Sequence, residues 1–190
     1  MKIQLLGSEV SQQDQTIIPA ISAGCRAIIE QDNCILFSCL TKRSQYLLPG
    51  GRIDLGESLQ ACVVRECLEE LGMVVEVNRW LCSIEEKYGN GWFRNEYFVV
   101  DVKAQDLPLQ LVKEEIALKL APVWVPKDKV IQKLLQTPID ERWWEASNNL
   151  AIKHSHYREA CALSVYFSTN LPKIPVYFEG SLSKVDVCTD

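Results

Sequence analysis

The chain has 190 residues, with 20 basic and 25 acidic side chains and a formal net charge of −5. Hydrophobic residues make up 47% and charged residues 24%, a composition that excludes fibrous and disordered classes and indicates a globular protein. The acidic balance argues against broad non-specific binding to nucleic acid, because that binding needs clustered Lys and Arg side chains.

Eight cysteines are spread along the chain, and no two of them form a C-x-x-C pair. A zinc ribbon and a thioredoxin-like motif are therefore unsupported. No secretory signal is visible near the N-terminus, and no run of about 18 apolar residues could span a membrane. We expect a cytoplasmic protein with reduced thiols and no membrane partner.

The first third of the chain predicts strands. Residues 1–17 are typical of a leader strand or arm. From Gly24, the apolar runs CRAIIE and CILFSCL flank the polar turn Gln31-Asp32-Asn33, which predicts a hairpin. A short apolar segment, Gln45–Leu48, then ends at Pro49-Gly50-Gly51, where regular pairing stops.

A helix is predicted at Ser58–Leu71, with Gly72 as its C-terminal stop. Strands are predicted at Met73–Trp80 and Trp92–Lys103, and the Asn-Gly step in the turn between them favours a hairpin. The later elements are a loop and charged stretch over Gln105–Leu120, a strand at Pro122–Val125, a helix at Lys127–Gln136, and helical segments at Asp140–Asn148 and His156–Thr169.

Strands around one central helix, without regular βαβ alternation, predict a mixed α/β layered fold. We divide the chain into a domain with an N-terminal arm, residues 1–136, and a C-terminal extension packed on the same domain, residues 137–190. The extension is expected to be helical, and its final fifteen residues show little pattern.

The predicted central helix carries an unusual face. At about 100° per residue, Glu66, Glu69 and Glu70 fall together on one side. The pattern places Ala61, Val64, Leu68 and Leu71 on the opposite side, which we expect to be buried. Because like charges at i,i+4 destabilise a helix, something should compensate: Arg65 in part, and a bound divalent cation more strongly. The bare backbone of Gly50-Gly51 would let a phosphate approach closely.

This stretch resembles the Nudix box. All seven fixed residues of that pattern are present at the right spacing, and the only departure at its two aliphatic positions is Cys67, which we expect to affect packing and not chemistry. The matching residues run as Gly51, five residues, Glu57, seven residues, and then Arg65-Glu66-Cys67-Leu68-Glu69-Glu70-Leu71-Gly72-Met73.

The resemblance implies an α/β/α sandwich with a mixed sheet and a hydrolase that uses Mg²⁺ or Mn²⁺ to cleave a diphosphate linkage in a small nucleotide. By position, metal would be held by Glu66, Glu69 and Glu70, with Glu57 supporting the metal shell or the water. Arg65 would hold the carboxylates in place, and Gly50 and Gly51 would face the substrate. Many relatives are homodimers, which favours a homodimer here.

The general base stays open between a glutamate of the helix and one from a distant loop, for which Glu114 and Glu115 are the candidates. A nucleoside triphosphate or related small nucleotide is favoured as substrate, because the proline expected downstream in many ADP-ribose enzymes is missing. ADP-ribose, nucleotide sugars and dinucleoside polyphosphates are the alternatives. In another class, the chain would be a catalytically silent nucleotide-binding module, or a structural cation site without chemistry.

Several aromatic and histidine residues outside this stretch have two interpretations each. Trp143 and Trp144 are more typical of packing of the tail than of base stacking or a dimer interface. His154 and His156 would point away from each other on a helix, which favours structural or surface roles over a shared metal site. Tyr88 lies where dinucleoside-polyphosphate enzymes carry a tyrosine, although packing is the more common explanation.

Overall fold

A computed structural model describes residues 1–7, 21–88, 91–143, 145, 149–178 and 181–188. Within these ranges the chain forms nine strands and five α-helices. The strands are β1 (Lys2–Gly7), β2 (Ile21–Ile28), β3 (Glu30–Gln31), β4 (Cys34–Leu40), β5 (Gln45–Leu47), β6 (Val74–Tyr88), β7 (Gly91–Ala104), β8 (Leu120–Pro126) and β9 (Leu182–Cys188). The helices are α1 (Leu59–Leu71), α2 (Lys113–Leu118), α3 (Val130–Gln136), α4 (Leu150–Lys153) and α5 (Ser155–Tyr166).

The strands form two sheets. The larger has the order β2-β7-β6-β1-β9, and it is mixed because β2 pairs with β7 and β1 pairs with β6 in parallel, while the other pairs are antiparallel. In the smaller sheet β4 pairs antiparallel with β8 along its whole length and with β3 and β5 at its two ends. The prediction of a mixed sheet is confirmed.

Alternate residues of a strand face opposite helical layers, as the period of two requires. In β4, Leu36 packs into the apolar cluster of α1, whereas Ile35 and Phe37 pack into the cluster that contains α3 and α5. In β2, Ala27 packs into the cluster of α1, and Ile28 packs into the cluster that contains α3 and α5. The sheets therefore lie between two helical layers, which is the expected α/β/α sandwich.

The hairpin predicted around Gln31-Asp32-Asn33 is right at its turn and wrong for its first strand. Asp32 and Asn33 have φ angles of 48° and 59°, as a tight hairpin turn requires, and Gln31 pairs with Cys34. The preceding strand β2, however, leaves this sheet and pairs in parallel with β7. The long β6–β7 ladder offers a partner for all of β2, whereas the hairpin pairs only β3.

The C-terminal segment contributes a helix and a strand to the layers already described. Side chains of α5, such as Tyr157 and Cys161, are buried in the same cluster as Ile3 of β1. The last strand, β9, pairs antiparallel with β1, although its sequence showed little pattern. β9 forms a strand because it pairs with β1, and a local sequence pattern cannot reveal such a distant partner. Among the described residues, no helix is long and apolar enough to cross a membrane.

Candidate active site

The helix α1 begins and ends as its sequence predicts. The Ser58 hydroxyl accepts a hydrogen bond from the Ala61 N–H at 3.1 Å, which caps the N-terminus. Gly72 has a φ of 62° and donates its N–H to the Leu68 carbonyl at 3.0 Å. A side chain at Gly72 would also collide with the Leu107 carbonyl, so the glycine fits the loop 105–112 against the end of the helix.

The buried face of α1 is not the one expected from the helical wheel. Ala61 is exposed, and Val64 and Leu68 are only half-buried. The buried residues of α1 are Cys62, Val63, Glu66, Cys67, Glu70 and Leu71. Two of the box carboxylates therefore point into the protein, because polar groups there satisfy them. Cys67 is fully buried in the apolar cluster, in agreement with a packing role.

Glu70 is held by groups outside the helix. Its Oε2 atom accepts hydrogen bonds from the Ser38 hydroxyl at 2.7 Å and the Gly50 N–H at 3.0 Å. Burial raises the pKa of Glu70 to about 7, and the two hydrogen bonds oppose that shift. Ser38 was not predicted as a site residue, although one hydroxyl in the apolar strand CILFSCL was a signal for a buried polar contact. The N–H of Gly50, expected to face a substrate, is used by Glu70.

Arg65 joins the other three carboxylates of the box. Its guanidinium bonds Glu57 through two nitrogens, at 2.8 and 2.9 Å, and its Nη1 donates to Glu66 Oε1 at 2.9 Å and Glu69 Oε2 at 3.0 Å. These bonds from Arg65 lower the pKa of Glu57 to about 2, and the Glu57 carboxylate raises the pKa of Arg65. Burial raises the pKa of Glu66, which Arg65 partly offsets.

Gly51 lies directly against Glu66. A Cβ atom at Gly51 would collide with both carboxylate oxygens of Glu66, so only glycine leaves this approach open. The Gly51 carbonyl accepts the Cys25 N–H at 2.9 Å, which fixes the corner to β2. The Gly50-Gly51 corner and the carboxylate face of α1 are therefore brought together as the sequence predicts.

The donor chemistry of the box fits a hard divalent cation. Arg65, Ser38 and Gly50 occupy one oxygen each of Glu66, Glu69 and Glu70, and the other oxygen of each has no protein partner in the described part of the chain. Carboxylate oxygens are the ligands that Mg²⁺ and Mn²⁺ prefer. Among the described residues, no three His, Cys, Asp or Glu side chains are gathered closely enough to form a finished metal site. A cation would therefore have to draw these side chains together.

The two candidates for a distant base lie in α2. Glu114 is exposed, and Glu115 accepts the Val112 N–H at 2.8 Å, which caps this short helix. In the described part of the chain, neither forms a hydrogen bond or an ion pair with Arg65 or the residues around it. The loop before α2 does reach the box, because the Gln110 N–H donates to the Glu69 carbonyl at 2.8 Å.

A cleft of about 260 Å³ opens beside the Gly50-Gly51 corner, and Gly51 and Arg52 form one of its walls. We call it the box cleft. Most of its polar side chains were not predicted, because they come from strands and a helix far apart in the chain. They are Arg26 of β2, Glu86 of β6, Arg94 and Asn95 of β7, and Arg158 of α5.

The remaining sequence candidates have structural surroundings. His154 contacts the Tyr88 hydroxyl at 2.9 Å and the Ser181 hydroxyl at 3.0 Å, and His156 accepts the Tyr46 N–H at 2.8 Å. Both histidines and Tyr88 are buried, which agrees with structural roles. Trp143 is half-buried beneath the Arg43 guanidinium, 5.0 Å from the ring centre, and Trp144 lies outside the described residues.

Comparison with known proteins agrees with this geometry. The family model of the NUDIX domain matches residues 20–146, more than half of the chain. The chain belongs to the NUDIX family. The match includes the whole box and ends before α5.

Relatives of this NUDIX chain include the ADP-ribose pyrophosphatase of Methanocaldococcus jannaschii, which is 34% identical over 97 residues, 47% of this chain and 54% of that protein. The chain spans about half the length, or less, of the curated relatives it matches. A NUDIX hydrolase structure from Nitrosomonas europaea aligns with a TM-score of 0.52 at 20% identity, over 70% of this chain and 92% of that one. A UDP-X diphosphatase structure aligns with a TM-score of 0.53 at 17% identity, over 82% and 68%. At these identities the two structures support the fold alone.

Proposed function

We propose that this chain hydrolyses a diphosphate linkage in a nucleoside diphosphate derivative, with Mg²⁺ or Mn²⁺ held by Glu66, Glu69 and Glu70. The observation that carries the proposal is the arrangement around Arg65. The guanidinium donates to one oxygen each of Glu66 and Glu69, Ser38 and Gly50 donate to one oxygen of Glu70, and the other oxygen of each carboxylate is left available. A solvated amphipathic helix would have no reason to bury Glu66 and Glu70 beside a glycine corner.

Each residue of the box has a separate task in this proposal. Arg65 and Glu57 form a bidentate pair that orients the helix face. Ser38 and the Gly50 N–H fix Glu70 at the buried end, while Glu69 stays half-exposed. Divalent metal supplies charge neutralisation for the diphosphate and activation of a water molecule.

The general base remains a choice between a glutamate of the box and Glu114 or Glu115. Glu70 lies within the box itself, and in the described part of the chain only its Oε2 atom accepts hydrogen bonds, from Ser38 and Gly50. Glu114 and Glu115 lie on the element that follows the loop tied to the Glu69 carbonyl. A box glutamate is therefore the better supported candidate.

Three classes of substrate are compared as candidates for this chain. A nucleoside triphosphate or related small nucleotide is the class favoured by the sequence. The relative from Methanocaldococcus jannaschii is named an ADP-ribose pyrophosphatase, which supports ADP-ribose and nucleotide sugars as the second class. Dinucleoside polyphosphates are a third option, although the buried bonds of Tyr88 to Glu86 and His154 supply a packing reason for that tyrosine.

The cellular setting is also part of the proposal. We expect a cytoplasmic protein, and all eight cysteines are free thiols, as a reducing compartment favours. A homodimer is expected by analogy with many Nudix hydrolases. No nucleic-acid partner is expected, given the net charge of −5.

The test is hydrolysis of a nucleotide panel by the purified chain in Mg²⁺ or Mn²⁺, with separated products. The panel holds nucleoside triphosphates, ADP-ribose, nucleotide sugars and dinucleoside polyphosphates. Glu69→Gln and Glu70→Gln should each lower turnover by about 10²-fold or more, because each removes a charged oxygen ligand or base. Glu76→Gln is the matched control: Glu76 pairs with Lys103 on an exposed strand, and this variant should retain full turnover.

Two outcomes would contradict the proposal. Turnover that survives both box substitutions would assign the chemistry to other residues. Metal-dependent nucleotide binding without any product, from a protein that also becomes more heat-stable with metal, would favour the silent module or the structural cation site.

A further inference from the structure

The box cleft has a wall that the family match does not include. Arg158 lies on α5, beyond residue 146, and its side chain is 6% exposed. Its Nη1 donates to Glu86 Oε2 at 2.8 Å, and its Nη2 donates to Glu159 Oε1 at 2.8 Å. Because Glu86 and Glu159 are fully buried, the guanidinium is fixed in position.

Arg158 keeps donors that no protein group uses. Each terminal nitrogen of a guanidinium carries a second N–H, and arginine has no acceptor atom. In the described part of the chain, the side-chain hydrogen bonds of Arg158 go to Glu86 and Glu159 alone. Since Arg158 lines the cleft, the remaining N–H groups require acceptor atoms from water or a ligand.

The buried end of the box cleft is electrically balanced. Arg26 and Arg158 supply two positive charges against the carboxylates of Glu86 and Glu159. Asn95 lies between them: its Oδ1 accepts from Arg26 Nε at 3.3 Å, and its Nδ2 donates to Glu86 at 3.4 Å. A phosphate gains little from such a balanced group, whereas a neutral polar ligand can use its hydrogen bonds.

The open end of the cleft differs in charge and exposure. Arg52 is exposed beside Gly51, and the side chain of Arg94 is 39% exposed with its Nε 3.2 Å from Glu96. Phe93 contributes an aromatic ring to the same cleft. The cleft volume of about 260 Å³ lies below the range of about 300–1,000 Å³ for drug-sized ligands, so it suits one base rather than a whole dinucleotide.

We propose that the buried end of the box cleft binds the nucleobase of the substrate, and that Arg158 selects a base with a carbonyl oxygen, such as guanine or uracil, over adenine. The inference rests on the proposed function, since it assumes a nucleotide whose phosphates lie at the box. Arg158 donates to the carbonyl oxygen, Asn95 offers an amide beside it, and Phe93 packs on the ring. Adenine has no exocyclic oxygen, and its amino group would face a donor.

The experiment is calorimetric titration of the full chain with GDP, UDP and ADP without divalent metal, so that binding is read without hydrolysis. GDP and UDP should bind about tenfold more tightly than ADP, the discrimination expected from one good base contact. Arg158→Lys keeps the positive charge but removes the planar N–H donors of the guanidinium, so it should reduce this affinity ratio to near one. Arg79→Lys is the matched control: it makes the same exchange at an exposed position of β6 that does not line the cleft, and the ratio should persist.

A second variant protects the test if Arg158→Lys unfolds the chain. Asn95→Ser removes the amide that β7 contributes to the cleft. This substitution alone should lower the ratio of the affinity for GDP or UDP to the affinity for ADP. Equal affinity of the native chain for GDP, UDP and ADP would overturn the inference, as would an unchanged ratio in both variants. Base selection without any hydrolysis would contradict only the proposed function, and hydrolysis without base selection would contradict only this inference.

Discussion

Arg65 shows how one side chain sets the chemistry of a helix face. It lies 2.8–3.0 Å from oxygens of Glu57, Glu66 and Glu69, so it offsets the repulsion among three like charges in one compact ion network. The guanidinium can do this because its planar donors reach several carboxylates at once, which the single ammonium of lysine cannot. The side chain is only 27% exposed, so solvent screening is limited.

Arg65→Lys is therefore expected to weaken metal binding without abolishing the fold. Residues that orient ligating carboxylates typically change metal affinity by about 10–100-fold. The Mg²⁺ concentration for half-maximal turnover should rise by a factor in that range, as a titration at saturating substrate would measure. Arg79→Lys, at an exposed position of β6, is the control and should leave the midpoint unchanged. An unchanged midpoint in Arg65→Lys would show that the network does not position the ligands.

At the scale of elements, the sequence predicts α1 well because its signals are local. Ser58 and Gly72 mark the ends, and the spacing of Glu66 and Glu70 places both on one face. The direction of that face was predicted wrongly, since it depends on Ser38 and Gly50, which lie elsewhere in the chain. The same limit explains β2, whose partner β7 is distant in sequence.

The capping of α1 can be tested apart from the chemistry. Ser58→Ala removes the acceptor of the Ala61 N–H and should lower the free energy of unfolding by about 1 kcal/mol, measured by urea denaturation. Gln60→Ala changes an exposed residue of the same turn and should alter that free energy by less than about 0.5 kcal/mol. Equal effects of the two substitutions would mean that the hydroxyl does not stabilise the helix.

At the scale of the whole molecule, the C-terminal segment is integral to the layers and to the cleft. Arg158 reaches Glu86 of β6, and β9 extends the sheet beside β1. The contact of Arg158 could not be predicted, because Arg158-Glu159 resembles an exposed charged pair on an amphipathic helix. The same segment buries both histidines of the chain, which has a consequence for stability.

His156 should make folding sensitive to mild acid. Burial lowers its pKa from the usual 6.5 to about 4, although its bond to the Thr137 carbonyl opposes the shift. Between pH 6.5 and 4, His156 binds a proton in the unfolded chain but stays neutral in the folded chain. The contribution of the neutral His156 ring to the free energy of unfolding is therefore complete above pH 6.5 and is lost as the pH falls toward 4.

The expected measurement is the pH dependence of the free energy of unfolding between pH 5 and 6.5. His156→Gln should reduce its slope by up to about 1.4 kcal/mol per pH unit, the value for one proton, whatever its effect at pH 7. Carboxylates titrate alike in the native chain and in His156→Gln, so their effect cancels when the two slopes are subtracted. Gln60→His adds an exposed histidine as the control and should leave the slope unchanged. A slope that is the same in His156→Gln and the native chain would mean that His156 is protonated in the folded protein, so that its ring could not accept the Tyr46 N–H.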